Sequence, residues 1–160
     1  MRARRRRADD YRACGALVRP RAARSTRTLA STEMTVNAYN PDRAPDVEEW
    51  LALDEQHRIG LVETFHRSAR VKLPNIRAHA AFHAIVENQI AMQHPPVVRA
   101  MARLLKQGLS RHDGVHAIGS VLVHHFHELL TTGSGDLPAV VQARYDAAVE
   151  RLTADGWLAQ

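Results

Sequence analysis

Apolar residues recur along this chain at helical spacing, and in three of those stretches histidines occupy positions on the apolar stripe. After Asn40-Pro41 and Pro45, Asp46 and Glu49 fit an N-cap and N3 pair for a short amphipathic stretch from Asp46 to Leu53. Asp54 then caps a helix to about Arg70, with Ile59, Val62, Phe65, His66 and Ala69 on its apolar face. Pro74-Asn75 breaks the chain, and a helix from about Ile76 to Gln93 is ended by His94-Pro95-Pro96. Apolar residues at 97, 98, 101, 104 and 105 predict a core-facing helix from Val97 to Leu109, closing near Gly108. Ser110 and Asp113 form a capping box that opens a helix from Arg111 to about Leu130. Gly133, Ser134 and Gly135 predict a flexible break, and Pro138, in a first turn, starts a last helix to about Ala154. No convincing strand is present, so the pattern predicts an all-α fold: a small bundle of four to five helices with short loops.

The polar residues on these stripes carry the chemistry. His79 and His83 in HAAFH, and His112 and His116 in HDGVH, repeat one i,i+4 spacing that puts both imidazoles on one helix face. His79, His83 and Glu87 share an arc with Ile76 and Ile90, and His112 and His116 share one with Gly119, Val123, Phe126 and Leu130. His66 lies inside the stripe of its helix, with Glu63 at the edge. Short connections favour antiparallel neighbours, which would make the Ile76 and Arg111 helices parallel, with the Asp54 helix running oppositely. Seven candidates then converge at one end of the bundle: Glu63, His66, His79, His83, Glu87, His112 and His116. Burial and nearby helix starts both push His79 and His112 toward the neutral imidazole that a metal requires.

Two readings follow. One is a metal centre holding a divalent ion, Fe, Mn or Zn, with Glu87 or Glu63 completing the ligand shell or orienting an imidazole, and with hydrolytic or redox chemistry open to it. The other is a non-catalytic interaction or assembly domain whose histidines form a buried network that fixes the packing. A zinc-peptidase reading of HDGVH fails, because the position of the general-base glutamate holds Asp113, which serves as a cap. No P-loop, GxSxG or GxGxxG sequence is present, and no organic cofactor is indicated. Ser120, Gly119 and the methionines Met92 and Met101 read as packing residues, and His124, His125 and His127 as a surface patch.

With 160 residues and 45% apolar content, the chain is long enough for one core, and 5% aromatic content favours helices over sheet. Its net charge of +5 divides unevenly. Residues 1–33 hold ten arginines against Asp9, Asp10 and Glu33, while the remainder holds twelve basic against fourteen acidic side chains. This separates a disordered basic tail at 1–33 from a helical domain at 34–160. The composition break favours Met34 as the natural start; an anion-binding arm and a transit peptide are the other readings of the tail. Nucleic acid is expected as a partner only through that tail, no membrane span is long enough, and a homo-oligomer is compatible with the pattern. Cys14, in the tail, is the only cysteine, so no thiolate ligand exists in the body. A cytoplasmic location is the default expectation.

The stretch Asn75 to Leu130, with HAAFHAIVENQIA and RHDGVHAIGSVLVHH, resembles a bacterial family of domains of unknown function that pairs an HxxxHxxxENQ helix with a later HExxHAIGSVL helix. The resemblance implies a small, all-helical, cytoplasmic protein and places the family's positions at His79, His83, Glu87, Asn88, Gln89, His112 and His116. It implies no particular activity. The departure is Asp113, where glutamate is usual in the family.

Overall fold

A computed structural model describes residues 38–132 and 135–160. The basic tail 1–33, Met34 and the Gly133-Ser134 part of the expected break lie outside the described residues. Within them the chain is all-α and has no strand: α1 (Val47–Ala52), α2 (Glu55–Ser68), α3 (Ile76–Ala91), α4 (Pro95–Lys106), α5 (Arg111–Thr132), α6 (Pro138–Arg151) and α7 (Ala154–Leu158).

The helix starts follow side-chain chemistry. Asp46, Asp54 and Asn75 each accept from a backbone N–H three residues on, satisfying an otherwise orphaned donor. Ser110 Oγ accepts from Asp113 N–H at 3.0 Å and donates to the Asp113 carboxylate at 2.7 Å, the capping box expected of α5. The prolines differ from expectation. Pro95 and Pro96 do not merely end α3; they form the first turn of α4, where their missing N–H groups would have no helical partner in any case. The last predicted helix divides as well. Leu152 is extended, and Thr153 caps α7, which buries Trp157.

The interior has two parts. One joins Val97, Leu104, Val115, Ile118, Val149 and Trp157, from α4 to α7, with Val86 of α3. The other joins Tyr39, Trp50, Ile59, Val62, Ala80 and Ala84, from the N-terminal segment through α3. Helix α2 runs antiparallel to α3, for Arg58 bonds Asn88 while His66 meets His79. The expectation that α3 and α5 run parallel is not met. Their pairings run in inverse order (Glu87 with Arg111, His83 with His112 and His116, His79 with His116), as in opposed helices. The reason lies in α4, which docks on α6 through Arg103 bonds to the Val149 and Leu152 carbonyls instead of retracing α3.

The α5 stripe is also corrected. Phe126 and Leu130 are exposed, Phe126 lying edge-on to Phe82 of α3 at 6.2 Å on the outer side of the bundle. Met92 is exposed beyond the end of α3, whereas Met101 is core.

Candidate metal centre

Helices α2, α3 and α5 each turn histidines into the seam between them. His66, His79, His83 and His116 have relative exposures of 0%, 7%, 2% and 0%, and one ring nitrogen from each lies within 4.8 Å of the others. His83 is the hub, its ring centroid 4.6–4.8 Å from the other three. The Nε2 atoms of His66 and His79 are 3.1 Å apart, close to the roughly 3.3 Å that separates two imidazole nitrogens bound at about 2.05 Å to a tetrahedral ion. Gathering all four draws the widest pair in by about 1.5 Å on the same geometry.

Hydrogen bonds fix which nitrogen faces inward. The Nδ1–H of His66 donates to the Val62 carbonyl at 2.8 Å; the acceptor has no proton to give, so the Nε2 of His66 carries the lone pair. On His83 the logic takes one more step. The Tyr39 hydroxyl donates to Glu87 Oε1 at 2.7 Å, so its oxygen accepts from the Nδ1–H of His83 at 3.2 Å. The Nε2 of His83 is then a buried lone pair, and it has no hydrogen-bond partner. Glu87 itself is gripped at both oxygens by Arg111, at 2.8 and 2.6 Å.

Burial sets the protonation of the cluster. It lowers His79 from 6.5 to about 3, helped by the nearby His66, and lowers His112 to about 3, helped by His66, His79 and Arg111. His83 is pushed far down by burial and its four imidazole neighbours, and His66 is lowered by burial with the Val62 bond opposing. These imidazoles are neutral at pH 7. Burial and Glu87 hold the Tyr39 hydroxyl well above its usual range, so it keeps the proton it donates.

The expected seven residues therefore separate. Four form the cluster. His112 packs on it, 4.3 Å from the ring of His116 and 5.3 Å from that of His83, but lies outside the four. Glu87 also lies outside the four, its carboxylate held by Tyr39 and Arg111. Glu63 stays at the rim, bonded to Arg67 at 2.5 Å with Arg77 at 3.5 Å, because its place at the edge of the α2 stripe turns it outward toward those cations. Asn88 and Gln89 serve as latches: Asn88 accepts from Trp50 and Arg58, and Gln89 from Tyr145. Ser120 bonds the Ala117 carbonyl of its own helix. Of the surface histidines, His124 pairs with Glu128, and His125 lies half-buried against Tyr145.

Sequence reasoning missed Tyr39 and Arg111. A signal for Arg111 existed, since an inward carboxylate at Glu87 demands a cation and Arg111 stands at the mouth of the same seam. Tyr39 had no such signal; it lies in an irregular segment without periodicity.

Fold and site together define an all-helical protein with a buried polyhistidine cluster that can hold a metal ion. No known protein family, curated protein or solved structure matches the chain. No helix among the described residues is long and apolar enough to cross a membrane.

Proposed function

We propose that this is a metal-binding helical-bundle protein in which His66, His79, His83 and His116 ligate one divalent transition-metal ion. The observation that carries this reading is the Nε2 of His83, a sealed lone pair without a partner among three other imidazoles. Left unsatisfied, such an atom costs about 1–3 kcal/mol; a metal ion satisfies it. The bond from the Nδ1–H of His66 to Val62, and that from His83 to Tyr39, are the outward hydrogen bonds that ligating histidines make.

Among the expected ions, an all-nitrogen set favours zinc or ferrous iron over manganese, which prefers oxygen. Enclosure of all four ligands favours an ion held for structure or electron exchange over hydrolysis, which needs an open position for substrate. The competing reading, a metal-free histidine network, accounts for the contact between His66 and His79 but leaves the inward nitrogen of His83 unexplained.

Elemental analysis of the tag-free full chain, purified without added metal, tests the proposal beside a His79→Ala/His116→Ala double variant that keeps His124, His125 and His127. About one equivalent in the parent and none in the variant is the expected result. Equal, substoichiometric metal in both, with the variant folded, overturns it.

A further inference from the structure

Tyr39 belongs to none of the bundle helices. It comes from the irregular segment ahead of α1, yet it is 5% exposed and joins the cluster to the buried Glu87–Arg111 ion pair through two hydrogen bonds. The same segment is held a second time, two residues on, where Arg111 Nη1 donates to the Pro41 carbonyl at 2.8 Å while also bonding Glu87. Asn40 Oδ1 accepts from the Asp42 N–H at 3.0 Å and shapes the turn between them. Residues 38–45 thus form a strap closed over the Glu87–Arg111 pair and fastened to the His83 imidazole.

We propose that docking of this strap is coupled to ion occupancy of the four-histidine centre, with Tyr39 as the positioning residue that links them; the inference rests on the metal reading above. An ion at the Nε2 of His83 makes its Nδ1–H a stronger donor, which tightens the bond to the Tyr39 oxygen. The carboxylate of Glu87, beyond the hydroxyl, then stabilises the positive charge drawn onto the ring. Coupling of this kind is reciprocal: if the ion favours the docked strap, the docked strap strengthens the ion's binding by the same factor. The apolar contacts of the Tyr39 ring serve a separate purpose. It packs against Trp50 and Phe65 at 5.8 and 6.0 Å, so loss of the hydroxyl alone leaves the ring's packing in place.

The test is titration of the full-length metal-free protein and its Tyr39→Phe variant with Co2+, followed by visible absorption, beside amide hydrogen exchange of residues 38–45 with and without Co2+. The coupling predicts Co2+ binding weaker by about 10–100-fold in Tyr39→Phe. It also predicts slower exchange of the strap on Co2+ binding in the parent, and a smaller slowing in the variant. Equal affinities in the two proteins overturn the coupling while leaving the metal centre intact. No Co2+ binding by the parent overturns the metal reading itself. Should Tyr39→Phe fail to fold, strap exchange in the parent alone decides: rates unchanged by bound Co2+ overturn the proposal.

Discussion

Between α4, α6 and α7 the interior closes on Val97, Leu104, Val149 and Trp157, side chains held by shape and exclusion of water; between α2, α3 and the start of α5 five imidazoles are packed beside the smaller apolar cluster. The two regions share α5, which gives Val115, Ile118 and Leu122 to the first and His112 and His116 to the second. An apolar core of this kind is indifferent to pH and to metal, whereas packed imidazoles depend on both. The comparison teaches that one half of the bundle is folded by solvent exclusion alone, while the other adds to its apolar cluster of Trp50, Ile59 and Val62 a set of lone pairs on whose state it also depends.

Acid should separate them most. In the unfolded chain His79 and His112 take up a proton near pH 6.5, but in the folded protein only near pH 3, so the unfolded state binds more protons across that window. Stability is therefore fully present above pH 6.5 and is lost as pH falls toward 3. At pH 5 the loss is about 2 kcal/mol for each of the two histidines in the metal-free protein. Urea unfolding at pH 7 and pH 5 measures it; a His79→Ala/His112→Ala variant should lose the share due to these two, while the acid sensitivity due to the buried His66 and His83 remains.

The apolar half is broken by volume instead. Leu104→Ala, at a fully buried position, should cost about 2–5 kcal/mol through lost transfer energy and the cavity left behind. That cost should be the same at pH 7 and pH 5, and with or without chelator, because distant sites add. A Leu104→Ala penalty that changes with chelator would show the halves to be one cooperative unit.

Chelator itself is the next lever. With free ion at 100 times its Kd, a site confined to the folded state contributes about 3 kcal/mol, so stripping the metal should lower the melting temperature of the parent. The His79→Ala/His116→Ala variant should not respond, and thermal melts with and without chelator check both.

What the sequence revealed divides along the same line. Helix starts were legible at Asp46, Asp54, Asn75 and Ser110, where a capping side chain acts within three residues of a visible break. The gathering of His66, His79, His83 and His116 was legible from stripe positions, because each side chain's direction is set by its own helix. Long-range choices were not. The polarity of α3 against α5 and the role of Tyr39 depend on which helix α4 docks against and on where an irregular segment lies. Neither is encoded by local period. The start of α7 was hidden for a different reason: Thr153 interrupts a pattern that continues to look helical on both sides of it.

The smallest effect concerns the two glycines of α5. Gly119, read from the sequence as a packing residue, is buried yet has no neighbouring side chain or other helix within 4 Å of where a Cβ would sit. Gly114 is the crowded one: a Cβ there would lie 2.8 Å from Met101 Sδ and 3.2 Å from its Cε. Gly119→Ala should therefore gain up to about 1 kcal/mol from helix propensity with no steric cost, raising the melting temperature by about 2–4 °C. At Gly114 the same gain is offset by displacing a flexible thioether, so Gly114→Ala should lie closer to zero, and metal content should change in neither. Gly114 faces the apolar half through Met101, whereas Gly119 lies one turn beyond His116, so the pair also tests the boundary between the halves. A fall in melting temperature for Gly119→Ala would mean that α5 lies tighter against its neighbours there than the packing of the histidine seam requires.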